Sequence, residues 1–191
     1  MAGDVADDDS ALVGRLRRRE QAAFRELYAR YAQPTFRFLA RLAGRREAAE
    51  DLHQETWLRV ARHQERLWPD SDLQSWIFAI ARNTFISWHR QAAAPAPARM
   101  PAEGSGADAG APMDPDPTCL DLERALASLP EAHREILLLV GLEGLDLARA
   151  ATVLDLRPDA ARQRLSRARA ALAKALERAE QRQPTTRRGC S

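Results

Sequence analysis

Between Leu129 and Leu176 two apolar-periodic segments are joined by the short turn Asp155-Leu156-Arg157, a pattern that reads as a helix-turn-helix. Leu147, Ala150, Ala151 and Leu154 recur at the 3.6-residue spacing of a buried stripe, and Asp146 is placed to cap the free amides before them. Pro158 suits the first position of the second helix, where its fixed φ is already helical and its missing N–H is not needed. That helix turns Ala161, Leu165, Ala168 and Leu172 inward and leaves Arg162, Gln163, Ser166 and Arg167 outside, with Arg164 and Arg169 on the flanks. Arg and Gln on such a face reach base edges and phosphates in a major groove. From Arg157 to Arg178 the net charge is +5, an electrostatic footprint for phosphate.

What precedes this segment sets the organisation. Residues 92–118 hold six of the eleven prolines, three glycines and no aromatic, a composition that cannot bury enough apolar surface to fold. They are expected to form a linker with a root-mean-square span of about 30 Å. The chain of 191 residues then divides into an acidic tail at 1–8, a helical domain at 9–91, the linker, a helix-turn-helix domain at 119–180 and a basic tail at 181–191. Net charge over 1–91, 92–118 and 119–191 is +2, −3 and +3. The fold class expected is all-α, two small helical domains on a flexible connection.

Composition excludes several functions. Cys119 and Cys190 are too few and too far apart for a disulfide framework or a zinc site, and they fit a reducing cytoplasm. No glycine-rich phosphate loop, GxSxG motif or acid/base pair is present, so no enzyme, cofactor or metal is expected. The start MAGDVADDDS lacks the character of an export signal, and no apolar run approaches the ~18 residues of a membrane span.

The first domain reads as helices over about Asp9 to Glu20, Phe24 to Leu42, Arg46 to His63 and Leu73 to Gln91. Gly44 fits a C-terminal cap, and Ser71 or Asp72 an N-cap. Two of these helices carry a second face. In Arg46 to His63 the wheel leaves Asp51, Gln54, Glu55, Leu58 and Arg62 outside, an exposed leucine among acids that reads as a docking surface. In Leu73 to Gln91 the inward set is Ile77, Ile80, Ala81, Thr84, Phe85 and Trp88, while Trp76, Asn83, Ser87 and Arg90 gather on the other side. Tryptophan beside amide, hydroxyl and guanidinium suits unpaired nucleic acid, since aromatic side chains stack on bases at ~1–3 kcal/mol each.

The segments AEDLHQETWLRV, SDLQSWIFAIARNTFISWHRQ and LASLPEAHREILLLVGLEGL, followed by the helix-turn-helix and RLSRARAAL, resemble the extracytoplasmic-function group of bacterial sigma factors, with their second and fourth regions in that order. Departures are Arg149, where the family often has Glu, Asp155 in place of a turn glycine, and Ala160-Ala161 in place of Thr-Val. The resemblance implies a monomeric initiation subunit. It would bind core RNA polymerase, on the β′ clamp helices and the β flap, with Asp51, Gln54, Glu55 and Leu58 on the clamp. Arg162, Gln163, Arg164, Ser166 and Arg167 would read the −35 duplex. Arg66, Trp76, Asn83, Ser87 and Arg90, with the loop from Arg66 to Leu73, would capture the melted −10 strand. An anti-sigma factor is a further partner that the family allows. Two other readings stay open on the residues alone, a stand-alone helix-turn-helix regulator and a polymerase-binding adaptor that opens no promoter.

Overall fold

The computed structural model describes residues 3–93 and 117–182, which form eight α-helices and, among the described residues, no strand. In the N-terminal unit these are α1 (Gly3–Arg17), α2 (Gln21–Ala43), α3 (Arg46–His63), a 3-10 turn (Gln64–Arg66) and α4 (Leu73–Ala93). The C-terminal unit has α5 (Pro117–Ala127), α6 (Glu131–Leu137), a π turn (Leu138–Leu142), α7 (Leu147–Leu154) and α8 (Pro158–Arg182). Most of the expected linker, residues 94–116, and the tail from 183 onward lie outside the described residues.

Local chemistry explains the boundaries. The chain turns between α1 and α2 at Arg19, in the left-handed region at φ 57°. Gly44 ends α2 at φ 68°, donating its N–H to the Ala40 carbonyl, a conformation that glycine adopts without a Cβ penalty. Asp72 starts α4 by accepting from the Ser75 backbone and hydroxyl, and Asp146 starts α7 by accepting from the Arg149 N–H at 2.8 Å. Asp155 takes the left-handed turn between α7 and α8.

Two ends differ from expectation. Helix α1 begins at Gly3, so the segment read as an acidic tail at 1–8 is largely helical; acid-rich sequence at a helix N-terminus and Arg15 and Arg17 in its last turn both suit the helix dipole. Helix α5 begins at Pro117, inside the segment read as linker, because proline is well tolerated in a first helical turn.

The larger departure is in the core. One apolar cluster belongs to the N-terminal unit alone and joins α1, α2, α3 and the start of α4 through Leu12, Leu16, Leu27, Trp57, Val60 and Ile77. The other runs through both units: Phe38, Leu39, Leu42, Phe78 and Phe85 are continuous with Ile136, Leu139, Val153, Leu154, Ala161 and Leu165. Phe38 and Phe78 meet edge to face with centroids 5.3 Å apart. The two units therefore dock on one another, with α7 laid against α4. The second face read on the α4 wheel lies across from the other unit, but a wheel does not say which partner such a face meets.

Candidate functional site

Helix α8 is 25 residues long, about 37 Å at the α-helical rise. Ala161, Leu165 and Ala168 are buried, which turns Arg162, Gln163, Ser166 and Arg167 to the outside as a contiguous exposed face. Arg162 Nη1 donates to Asp159 at 2.9 Å, one turn earlier, so this guanidinium is steered along the helix. Arg164 stands apart from the other four. It is half-buried, and its charge lies close enough to Glu135 to favour that carboxylate's ionised form.

On α3 the buried residues are Ala48, Ala49, Leu52, Thr56, Trp57 and Val60. Trp57 packs edge-on against Phe24 and Tyr28 and locks the helix in rotation. Asp51 and Gln54 are consequently exposed, and Leu58 is left 44% exposed. Glu55 accepts from Arg59 Nε at 2.8 Å, so this acid is already held in place.

The residues expected to meet single-stranded DNA are separated by the fold. Asn83, Ser87 and Arg90 come together on α4. Arg66 is exposed at the end of the 3-10 turn, and Trp76 is half-buried against the N-terminal cluster. Inside the loop from Arg66 to Leu73, expected to share in this capture though no tryptophan in it was singled out, stands the most exposed large apolar side chain among the described residues: Trp68, at 78%. It opens the tight turn Trp68-Pro69-Asp70-Ser71, in which the Ser71 N–H donates to the Trp68 carbonyl at 3.0 Å and the Trp68 N–H donates to Ser71 Oγ at 2.8 Å. The signal for it was a tryptophan followed by proline outside any apolar period.

Across from Asn83, Ser87 and Arg90 lie Thr152, Val153, Leu154 and Asp155, and the groove between α4 and the helix-turn-helix corner measures about 550 Å³. Charged groups stitch the two units beside it. Arg82 Nε donates to Glu135 at 3.0 Å, Arg41 Nε donates to Glu123 at 3.0 Å, Arg37 lies 3.8 Å from Glu143, and Arg149 grips Asp72 with two guanidinium nitrogens. Gln74 adds a donor to the Glu143 carbonyl at 2.8 Å. Burial pushes the Glu135 and Glu143 carboxyls above their ordinary range, against the pull of the neighbouring arginines. Burial also acts upward on Asp72, but hydrogen bonds from Arg149 and Ser75 outweigh it and hold this carboxyl below its ordinary value. Among the described residues no cluster of His, Cys, Asp and Glu is arranged to hold a metal ion, and no helix is long and apolar enough to cross a membrane.

Comparison with known proteins gives this arrangement its family. The model of Sigma-70 region 2 matches residues 27–94, and that of Sigma-70, region 4 matches residues 119–172. The ECF RNA polymerase sigma factor EcfG of Rhodopseudomonas palustris is 34% identical over 145 residues, covering 74% of this chain and 78% of the relative. The ECF RNA polymerase sigma factor SigF of Caulobacter vibrioides is 38% identical over 147 residues, covering 75% and 79%. Among solved structures, the sigma factor RpoE of Bartonella quintana, crystallised with the anti-sigma factor NepR, is 26% identical with a TM-score of 0.64, covering 81% of this chain and 96% of that one. With both regions matched in order and relatives covered over most of their length, this chain belongs to the ECF group of RNA polymerase sigma factors.

Proposed function

We propose that this sigma factor directs promoter-specific initiation through three surfaces with separate tasks. The α3 face, Asp51, Gln54, Glu55 and Leu58, binds the β′ clamp helices of core polymerase, while the C-terminal unit meets the β flap. The outer face of α8, chiefly Arg162, Gln163, Ser166 and Arg167, reads −35 duplex in the major groove, with half-buried Arg164 on its flank. Asn83, Ser87 and Arg90 on α4, with Arg66, Trp76 and the turn at Trp68, take the melted −10 strand. Trp68 is the better stacking platform of the two tryptophans, because its side chain is largely exposed on a pinned turn whereas Trp76 packs on the core. The chain makes and breaks no bonds, works in the cytoplasm beside polymerase, and takes as a further partner an anti-sigma factor, the class of protein co-crystallised with the Bartonella relative.

The observation that carries this reading is the exposed α3 face together with the exposed α8 face in one chain that matches both family regions. A stand-alone regulator has no use for the first, and an adaptor has none for the second. Run-off transcription with purified core polymerase on a library of genomic promoter fragments tests it. Promoter-specific transcripts that depend on the added chain are expected; their absence, with core binding intact, would reduce the protein to an adaptor.

A further inference from the structure

The end of α1 carries a feature that the three surfaces leave unused. Arg17, Arg18 and Arg19 follow one another in the sequence, and all three are exposed. The helix closes as a Schellman motif: the Arg19 N–H donates to the Leu16 carbonyl at 2.9 Å and the Glu20 N–H to the Arg15 carbonyl at 3.2 Å. Such a motif needs a left-handed residue just past the cap, and here that residue is Arg19, at φ 57°. Glycine takes this conformation without a Cβ penalty, as Gly44 does at the end of α2. An arginine strains the backbone more, and what it adds at this point is charge.

That charge stands beside the turn at Trp68. Helix α1 packs on the 3-10 turn, and Leu67, the residue before Trp68, is buried in the cluster that holds Leu12, Val13 and Leu16 of α1. Across this junction Arg19 is ion-paired with Glu65, whose neighbour Arg66 is exposed. Arg18 bonds Glu20 at 2.9 Å, while Arg17 and Arg66 have no carboxylate partner among the described residues. Both pairs lie in water, where an ion pair holds weakly and a phosphate oxygen can take the carboxylate's place. Asp70 is exposed two residues beyond Trp68, so the basic flank of the turn is the one that Arg66 begins. Resting on the sigma-factor reading above, we propose that the end of α1 is a further DNA site: Arg17, Arg18 and Arg19, continuing from Arg66, hold backbone phosphates of the melted strand beside the base stacked on Trp68. The contact is to charge and carries no base sequence. It favours the open promoter over the closed one, since only a strand led to Trp68 passes these arginines.

The test uses holoenzyme assembled from core polymerase and the full chain. It is titrated with a promoter fragment premelted over the −10 element and with a fully paired fragment that carries the −35 element alone. Combining Arg17→Ala, Arg18→Ala and Arg19→Gly should lower affinity for the premelted fragment about tenfold near physiological salt. The slope of log affinity against log salt should fall by about 2, at about 0.7 for each of three phosphates on a single strand. Affinity for the paired fragment and for core polymerase should each stay within about twofold. Arg17→Lys with Arg18→Lys should keep most of the slope, because lysine also meets phosphate as a point charge. Arg19→Gly alone should reduce the slope while leaving the thermal midpoint of the chain level or higher, since glycine suits the left-handed position. A lower midpoint with an unchanged slope would make Arg19 only the tie between α1 and the 3-10 turn and would overturn its role. An unchanged slope in the triple variant overturns the site, as does an equal loss on the paired fragment. An equal loss of core affinity overturns it too, by giving the patch an acidic surface of polymerase as its partner. If circular dichroism shows the triple variant unfolded, Arg17→Ala with Arg18→Ala, which keeps Arg19 and its bond to Glu65, takes its place under the same outcomes. Wild-type run-off transcription on the promoter library is read in parallel: its failure removes the sigma-factor reading, whereas wild-type transcription with an unchanged slope in the variant removes this site alone.

Discussion

Helices α3 and α4 are neighbours in sequence and in space, and each carries a polar face that its own unit does not bury, yet only the α4 face has the other unit standing across from it. Around α3 the outer residues Asp51, Gln54 and Leu58 meet solvent; around α4 the corresponding set looks across a groove at Thr152 to Asp155. The difference comes from the next shell of packing. Helix α3 is gripped from one side by Trp57 in the N-terminal cluster, while α4 supplies Phe78 and Phe85 to the cluster shared by both units. A second face on a helix thus marks a contact still to be made, and the fold decides whether that contact is with another molecule or with the rest of the chain.

The largest effect expected from this contrast comes from emptying the two clusters. Trp57→Ala and Phe78→Ala should each cost ~3–5 kcal/mol, but with different reach. Trp57→Ala should lower the stability of the N-terminal unit and spare α5 to α8, whereas Phe78→Ala should loosen both units, as read by amide hydrogen exchange. Protection lost in the same helices for both variants would mean that the two clusters are one.

Next in size is the pair of DNA faces. Arg167→Ala should weaken promoter binding of the holoenzyme by ~1–3 kcal/mol if its contact is bidentate, with melting normal once the promoter is bound. Trp68→Ala should spare that binding and reduce permanganate reactivity of the −10 bases by an amount matching the loss of one stacked base, ~1–3 kcal/mol. Normal melting in Trp68→Ala together with a defect in Trp76→Ala would move the stacking role back to the half-buried tryptophan.

On α3, replacing Asp51 and Glu55 together by alanine should lower core polymerase affinity by about 1–2 kcal/mol at low salt, less at high salt, with native circular dichroism. Neither side chain fills the core, so the loss should appear only in the complex. Unchanged affinity would close the α3 face as a docking surface.

The smallest effect concerns Glu143, whose Oε1 has no protein donor. A carboxyl whose pKa is raised by burial favours the docked form more strongly as pH falls from neutral toward a glutamate's ordinary 4.5. Asp72 acts oppositely, since its lowered pKa contributes stability that is lost only as pH drops below about 3.8. Glu143→Gln should accordingly stabilise the protein at pH 7 by roughly 1 kcal/mol, and the advantage should vanish on acidification. Equal stability of the two proteins across this range would show that the Arg37 side chain already satisfies the carboxylate.

Much of each unit was legible in the sequence because its causes are local. The stripe Ala161, Leu165, Ala168 on α8, the caps Gly44, Asp72 and Asp146, and the outward placement of Asp51, Gln54 and Leu58 on α3 follow from a 3.6-residue period and from the needs of free backbone groups at helix ends. The residues that escaped are those that answer to partners far along the chain. Phe78 is fully buried but lies off the wheel's inward set for α4, and Val153 is buried beside the stripe of α7. Glu135 and Glu143 are charged residues inside apolar sequence, which is the signature of a paired seam once the partner arginines are known. Trp68 lies in the loop from Arg66 to Leu73 that was expected to meet the strand, but it belongs to no period, so nothing local singled it out there.

The ion pairs across the seam also bear on how such a chain changes over generations. Arg41, Arg82 and Arg37 on one unit face Glu123, Glu135 and Glu143 on the other, with Asp72 and Arg149 reversed. A substitution on either side leaves a mismatched neighbour, so these positions are expected to drift as couples, and the Asp72 and Arg149 couple to flip sign together or not at all. The intervening segment obeys no such rule. Doubling the length of a connection costs only about 0.6 kcal/mol in closure entropy, so insertions in this proline-rich sequence should accumulate freely. Lineages of this protein should thus differ in the length of the tether long before they differ in the charges it joins.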